Sequence, residues 1–599
     1  MRILFVFLLG VLSAFYLTEG CLRGLKKFNL LPKNRYLHHS EAGLIVLLGG
    51  VLTFFLAPEL IGSANTTLLS TFLLGTGVGM ISHHLLSESF FFFPQAERNF
   101  LRKHDHLVER FLEIIPGAST WLALASPIWL SFIFPFAVAY IILLADIYWL
   151  FSAVRISVLT YLGYKKMEAA KRIDWLERLK KDYPQDWQEL YHFFVIPVYK
   201  EGLEVVGPCV DAIASANYPK EKIFIGIGYE EKSDPQNIAQ MRDYIKKYEG
   251  HIGGIFFTVH PSGLPGELRG PATNRNWIIN NAVKEFTKRG LKPSQVIATT
   301  LDSDFVVHPQ FLAGALYKYL SQPKDVRDKR SFTGVFLYHN NYWQCPAFTR
   351  LISSGTAFWQ LAEMVGSDKY INFSSLSMNL KSLLEIGLWM PDKVNDDSGF
   401  FWKAYYHFKG DYKVLPHYLP ISADTVLDVT FYQTFKNQYK QLQRWAYGVE
   451  HIPFIIRQYF ARTDIDFWDK TDKLTFILWS YFKWGTLALF VTFAGVVIPL
   501  VNPHYTESVV AYNLPVISSW ILTGAFIGLF STIYIHERTA PPRPKSWSLL
   551  QKFWSYIQWT LIPIILVTIT SIPAIDAQTR LMLGKYIEFY NTKKARLAS

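Results

Sequence analysis

Apolar residues in this chain gather in two dense blocks separated by a long stretch of mixed pattern, which predicts membrane helices at both ends and a water-facing domain between them. In the first block the runs at 3–17, 44–61, 68–86, 121–134 and 136–159 are candidate spans, the last two divided by little more than Pro135. The run at 3–17 is short for a span and follows a single Arg2, as a secretory signal would. No small-residue cleavage signature precedes Arg23, so an uncleaved anchor is expected. The second block holds runs at 474–501, 514–535 and 553–575.

Between the blocks, residues 167–423 contain no run long enough to cross a bilayer, and their pattern is that of an α/β domain. Phe193, Phe194, Val195 and Ile196 form a short buried-strand pattern ending in Pro197, followed by a helical run at 203–216 and a second strand at 223–227. Strand, helix, strand predicts parallel pairing with a right-handed crossover. Another strand at 296–301 runs directly into Asp302-Ser303-Asp304. That places an acidic triplet at a strand's carboxyl end, the edge where open α/β sheets bind ligands. After Asp424 the period changes to that of a helix: Phe431, Phe435, Tyr439, Leu442 and Ala446 recur at three- and four-residue spacing, with Lys436, Lys440 and Arg444 off the stripe. Such a helix suits a bilayer surface, its alternative being to pack on the sheet. The predicted organisation is a transmembrane region (1–166), an α/β domain (167–425), amphipathic helices (426–472), a second transmembrane region (473–576) and a basic tail (577–599).

Composition narrows the class. Half of the 599 residues are hydrophobic and 16% aromatic, yet 18% are charged, which fits membrane segments joined to a soluble domain rather than a pure channel. The net charge of +12 comes from no single basic block. Instead Arg23, Lys26, Lys27, Lys33 and Arg35, then Arg98, Arg102, Lys103 and Arg110, then Lys165 and Lys166 flank apolar runs. The positive-inside rule explains that distribution and puts these loops in the cytoplasm, leaving nucleic-acid binding unsupported. Cys21, Cys209 and Cys345 are far apart and odd in number, which argues against a disulfide framework or a cysteine zinc site. Five spans before the domain and three after would leave the C-terminus outside, whereas Lys585, Lys593, Lys594 and Arg596 suggest a cytoplasmic tail. One terminal segment is therefore expected to be re-entrant or interfacial, and Pro563 points to the last.

Three short motifs carry chemistry. Asp302 and Asp304 offer hard oxygens to Mg²⁺ or Mn²⁺, ions that use one or two carboxylates and complete their shell with water and phosphate. Both can serve only if the strand ends there and turns, because alternate residues of a continuing strand face opposite ways. Their dull reading is a capped or solvated loop. Asn395-Asp396-Asp397 offers a second pair of acids, which could equally be first-turn residues of a helix at 400 onward. In Gln441-Leu442-Gln443-Arg444-Trp445, Arg444 presents a planar cationic fork suited to phosphate, Gln441 lies on the same helix face, and Trp445 presents a ring suited to a sugar face. Taken alone, a Trp beside a membrane is more often an anchor or core residue. His83, His84, His260, His417 and His451 show no metal-ligand spacing and read as structural or solvated.

In this order the motifs resemble those of membrane-embedded family-2 glycosyltransferases, the group of cellulose, hyaluronan and chitin synthases, over roughly residues 192–450 and the flanking spans. The run from Phe194 to Glu201, with Pro197, Tyr199 and Glu201, resembles that family's opening strand and the loop beneath the nucleotide. Asp302-Ser303-Asp304 resembles its metal-binding DxD, Asn395-Asp396-Asp397 its base motif, and residues 441–445 its QxxRW. Two places depart. Gly226-Ile227-Gly228-Tyr229-Glu230-Glu231 stands where an Asp commonly contacts the nucleotide base, making Glu230 the substitute. Pro271, rather than Lys, stands three residues before Asn274, so Arg269 or Arg275 would supply the cation.

The resemblance implies a GT-A nucleotide-sugar domain, a divalent ion and an inverting displacement in which Asp397 takes the acceptor's proton while Asp396 shapes the site or contacts the acceptor. The expectation is an integral protein of the plasma or inner membrane with a cytoplasmic catalytic domain. Its donor would be a nucleotide sugar, a UDP-sugar being favoured by the membrane arrangement, and its acceptor a growing polysaccharide. The rivals are single transfer to a lipid carrier and a non-catalytic transporter or scaffold with a degenerate domain.

Overall fold

The computed structural model describes residues 105–366, 369–371, 373–592 and 596, so the candidate spans at 3–17, 44–61 and 68–86 lie outside the described residues. The chain forms two compact units, residues 1–108 with 457–463, and residues 109–456 with 464–599. Within the first, Arg457 Nη2 donates to the carbonyl of Asp105 at 3.0 Å. Everything that follows concerns the second.

Its centre is a mixed sheet of eight strands: β1 (Tyr191–Val198), β2 (Ile223–Glu230), β3 (Gly254–His260), β4 (Val296–Thr300), β5 (Val306–Val307), β6 (Arg330–Leu337), β7 (Leu376–Asn379) and β8 (Lys413–Ser422). The spatial order is β3-β2-β1-β4-β7-β6-β8-β5. The first four are mutually parallel, as the strand–helix–strand pattern predicts. β7 then runs antiparallel to both β4 and β6. Successive residues of β1 serve opposite faces: Phe193 and Val195 join one apolar cluster, Phe194 and Ile196 another. A strand covered on both faces needs this unbroken apolar run.

Three helices hold the candidate residues outside the strands, α1 (Pro271–Lys288), α2 (Asp396–His407) and α3 (Phe431–Ala446). α1 lies against β2 where that strand is reduced to glycine. A Cβ at Gly226 would stand 2.5 Å from Ile278 Cγ2 and 2.9 Å from the Phe193 ring, and one at Gly228 would stand 2.2 Å from Asn274 Oδ1. Those two glycines let the helix approach the sheet, and with it Arg275.

Among the described residues, five helical segments are long and apolar enough to cross a bilayer: Asp105–Ile133, Pro135–Lys171, Phe467–Val501, Val509–Thr539 and Leu549–Met582. Pro135 opens the second, where its missing N–H costs nothing. Phe132, Phe151, Trp520 and Phe530 project outward, a surface suited to lipid. The Pro135–Lys171 helix also reaches the domain: Gly163 lies against Leu361, and Thr160 donates to the Phe358 carbonyl at 3.1 Å. The last segment, singled out in the sequence by Pro563, is irregular. It passes through a 3₁₀ turn at Gln558–Leu561 and a π turn at Leu566–Ser571 before ending as Ile572–Met582. That end binds α3, with Tyr439 donating to Asp576 Oδ2 at 3.0 Å and Gln443 donating to the same oxygen.

Gly226→Ala should therefore be felt in the core. Neither Ile278 nor Phe193 has room to retreat, and overpacking of this kind costs about 1–3 kcal/mol. Thermal unfolding of the detergent-purified protein should show a lowered midpoint, and an unchanged midpoint would mean that α1 can shift away from β2.

Candidate active site

β4 ends at Thr300, and the chain turns, Phe305 N–H donating to the Asp302 carbonyl at 3.1 Å. The turn removes the alternation that would have sent Asp302 and Asp304 to opposite faces. Asp302 Oδ1 accepts from Arg275 Nη2 at 3.3 Å, while buried Asp304 accepts the Asp424 backbone N–H at 2.8 Å. α2 begins with the other acid pair. Arg275 Nη1 donates to Asp396 Oδ2 at 2.7 Å and to Asp397 Oδ1 at 3.1 Å. One guanidinium, 1% exposed, thus draws the strand-end acid and the helix-start acids together.

The electrostatics follow from that geometry. Burial alone would weaken Arg275's hold on its proton, but Asp396, Asp397 and Asp302 outweigh it and raise its pKa. Burial raises the pKa of Asp396, with neighbouring Asp397 adding to the effect and Arg275 opposing it. Each contact is worth about 4 kcal/mol at an effective dielectric of 20, and desolvation of the ions returns much of that. The network's main effect is placement.

The Asp396-Asp397 pair is held from behind. Asn395 N–H donates to Glu450 Oε1 at 2.7 Å, and its amide donates to the Trp445 carbonyl at 3.0 Å. Burial lowers the His451 pKa to about 4, so its ring is neutral and Nε2–H donates to the Asn395 carbonyl at 2.6 Å. Burial pushes Glu450 up to about 7. Asp397 Oδ2 accepts the Ser374 N–H at 2.7 Å, from a residue held at φ 54°. A non-glycine residue in that region is uncommon, and such strain concentrates at functional sites.

α3 turns its polar side inward. Thr434, Asn437, Gln438 and Gln441 are buried, whereas Phe431 and Tyr432 are 67% and 73% exposed. Gln441 accepts from Gln438 at 3.1 Å. The Arg444 guanidinium lies 4.5 Å from the Phe589 ring centre, within the field of Asp302, Asp396 and Asp397; burial, the larger influence, lowers its pKa. Trp445 packs against the apolar cluster of Phe348, Leu442 and Trp559.

The remaining residues singled out in the sequence lie along the carboxyl edges of β1 and β2. Pro197 pairs with Gly228. The Tyr199 ring lies under Arg269 at 4.1 Å. Glu201 Oε2 accepts the Tyr199 and Lys200 N–H groups at 2.8 and 3.0 Å. Asn274 is buried and ties α1 to the sheet, donating to the Gly228 carbonyl at 2.8 Å. Glu230 faces His260.

The C-terminal tail also reaches these residues, which no pattern in the sequence indicates. After Met582 it passes Tyr586, which donates to Glu113 Oε2 at 3.0 Å, and Phe589 under Arg444. Asn591 then donates to Glu201 Oε1 at 3.1 Å. Arg596 forks onto Asp424, with Nη2 to Oδ1 at 2.9 Å and Nε to Oδ2 at 3.1 Å. The tail's basic residues had been read only for topology. Ser374, Glu450 and Asp424 likewise carried no signal in the sequence.

Among the described residues no group of three or more His, Cys, Asp or Glu side chains forms a complete metal cage. Mg²⁺ and Mn²⁺ in phosphate sites ask for less. The hard-oxygen pair Asp302 and Asp304, at a turn off a strand end, fits an ion that takes its other ligands from phosphate and water.

No protein-family model matches the chain. No curated protein matches it. Among solved structures, the mannosyltransferase PcManGT from Pyrobaculum calidifontis in complex with GDP-Man and Mn²⁺ is similar at 13% identity and a TM-score of 0.39, over 74% of this chain and 100% of that one. S. aureus TarS 1-349 in complex with UDP-GlcNAc is similar at 11% identity and a TM-score of 0.33, over 59% of this chain and 93% of that one. These are distant likenesses, and the site stands on its own residues.

Arg275→Gln should leave three clustered carboxylates without their counter-charge, a loss of about 3–5 kcal/mol. Uncompensated buried acids have folded pKa values raised above their unfolded ones, so the stability they contribute is present at low pH and lost as pH rises. The gap in thermal midpoint between wild type and Arg275→Gln should therefore narrow on going from pH 8 to pH 5. A gap that is constant with pH would mean that the guanidinium serves packing alone.

Proposed function

We propose that this protein is an integral-membrane, inverting glycosyltransferase that uses a nucleotide diphosphate sugar on its cytoplasmic side, with UDP as the favoured nucleotide and a growing glycan as acceptor. The observation that carries the reading is the convergence on Arg275 of a strand-end acid, Asp302, and a helix-start acid pair, Asp396 and Asp397. Transfer between a diphosphate and a hydroxyl needs carboxylates in both places, on the leaving group's cation and on the attacking oxygen. Asp302 and Asp304 would hold Mg²⁺ or Mn²⁺, whose charge when bound offsets that of the leaving diphosphate.

The roles follow from position. Asp397, its two oxygens fixed by Arg275 and Ser374 N–H, accepts the acceptor hydroxyl's proton. As the acceptor oxygen bonds to the anomeric carbon, the bond from that carbon to the diphosphate oxygen breaks, the electron pair leaves with the nucleoside diphosphate, and the anomeric centre inverts. Asp396 holds Arg275 and shapes the site. Arg444 contributes its fork to the diphosphate, and Gln441 and Trp445 face the acceptor from the same helix. Pro197, Tyr199, Glu201, Asn274 and Glu230 form the nucleoside end. The α3 surface, apolar outward and polar inward, supports a catalytic domain seated at the bilayer.

Incubating the purified protein with a panel of nucleotide sugars and Mn²⁺ should release nucleoside diphosphate from one of them, and excess chelator should stop it. Asp397→Asn keeps shape and removes basicity, so turnover should fall on the order of 10² or more while donor still binds. A linear product that lengthens with time supports polymer synthesis, whereas a single sugar on extracted lipid would replace that acceptor. No release from any donor would leave a transporter or scaffold.

Arg444 and Trp445 should separate. Arg444→Ala should weaken donor affinity, because its fork faces phosphate, and Trp445→Ala should shorten or abolish product while leaving donor affinity within a few-fold. If Trp445→Ala loses donor binding as severely as Arg444→Ala and lowers the thermal midpoint, its contacts with Phe348 and Leu442 are its whole role.

A further inference from the structure

The carboxyl edge of the sheet holds a second charged cluster, which meets the nucleoside end at Glu230 and otherwise has no part in the reaction above. His260 ends β3 beside Glu230, its register partner and the last residue of β2. Its Nδ1 lies 3.1 Å from Glu230 Oε2 and its Nε2 lies 3.0 Å from Glu267 Oε2. His260 and Glu230 are both buried, and α1 contributes the edge of the Trp277 ring. An imidazole flanked by carboxylates on both nitrogens satisfies both only as the doubly donating imidazolium, since the neutral ring would turn a lone pair towards one of them. Burial opposes that charge, the hydrogen bonds and charges of Glu230 and Glu267 outweigh it, and the histidine's pKa is raised.

Glu267 belongs to the loop 261–270, which turns at Gly263 and Gly266 with φ of 80° and 79° and runs into α1. The loop is fastened at four points. Ser262 N–H donates to Glu231 Oε2 at 2.9 Å, Glu267 meets His260, Leu268 N–H donates to the Pro391 carbonyl at 2.8 Å, and Arg269 covers Tyr199. In the strand order β3-β2-β1-β4, Glu230 lies two strands from the one that delivers Asp302, about 10 Å at ordinary strand spacing. A nucleoside whose diphosphate sat near Asp302 and Asp304 would extend across Tyr199 towards Glu230.

We propose that His260, as an imidazolium, is a positioning residue for the nucleobase. It holds Glu230 by Oε2, leaving Oε1 to accept a ring N–H of a base such as uracil, and through Glu267 it latches the 261–270 loop beside that base. Among the described residues Oε1 of Glu230 accepts no hydrogen bond. The inference rests on the donor-site reading above. Its consequence is linkage: base binding draws on the charged form of His260, so affinity is full below that residue's pKa and falls as pH rises through it, by up to about ten-fold per pH unit for one proton.

The test is calorimetric titration of the full-length protein with Mn²⁺–UDP and Mn²⁺–GDP, following whichever binds tighter, from pH 6 to 9, with Mn²⁺–pyrophosphate as the ligand lacking a base. Wild-type affinity for the nucleotide should fall towards high pH. His260→Gln should start near the wild type's high-pH value and keep only the dependence due to the ligand's own ionisation. Glu267→Gln removes one of the two charges that favour the imidazolium, so its fall should begin at lower pH than in wild type. Pyrophosphate should not distinguish the three proteins. Superimposable nucleotide profiles for wild type and both variants, or a matching loss with pyrophosphate, overturn the role of His260 and leave the donor site standing. If neither nucleotide nor pyrophosphate binds wild type, the donor-site reading falls and takes this one with it.

Discussion

Carboxylates brought within reach of a common partner repel one another, and inside a protein that repulsion is poorly screened. Asp302, Asp396 and Asp397 come from a strand end and a helix start far apart in the chain, and they share a site because the Arg275 guanidinium stands between them. The rest of the domain serves that position. α1 must close on β2, which needs glycine at 226 and 228; β4 must stop at Thr300 so that Asp302 can turn inward; and Asn395 must be anchored from α3 and the turn after it. The favourable energy of the ion cluster is modest once desolvation is counted, so its value lies in fixing where the acids sit. One guanidinium fork therefore holds the strand-end acid and the helix-start acids at set positions about a shared centre.

α3 joins this interior to the last apolar segment. An ordinary domain helix buries its apolar stripe, but here Asn437, Gln438 and Gln441 face inward while Phe431 and Tyr432 face out. The polar side is spent on the site and on Asp576 of the last apolar segment; the aromatic side is available to lipid. The two contacts are therefore complementary, and Arg444 gains its place over the acids from a helix whose other face has no reason to enter the core. The break at 558–571 lets the last segment deliver Asp576 to this helix, which a straight span of the same length would carry past it.

Local patterns made part of this arrangement legible. The apolar run 193–196, the helix at 203–216 and the strand entering Asp302 appear as β1, the Leu203–Ser215 helix and β4, because parallel central strands and amphipathic helices write their period into a few consecutive residues. β7 is four residues long and β8 contains Pro416 and Pro420, so neither stands out, and both owe their pairing to neighbours distant in sequence. In the site, acids and the QxxRW run were visible as residue types at a spacing. Which cation would join them was not. Arg269 and Arg275 looked equivalent, and only the turn of α1 sends Arg275 to the acids and Arg269 to Tyr199. Asn274 donates its side-chain amide to the Gly228 carbonyl, a contact created by tertiary packing. Asp396 and Asp397 do open a helix, and from the first turn of α2 both reach Arg275.

The tail adds a dependence that no local pattern contains. Most of its contacts are of the partly exposed kind that contributes little on its own, such as Asn591 with Glu201. Arg596 is different, because its partner Asp424 is fully buried and the Asp424 backbone N–H supports Asp304. The tail is thus tied, through Asp424, to the carboxylate in the turn that follows β4.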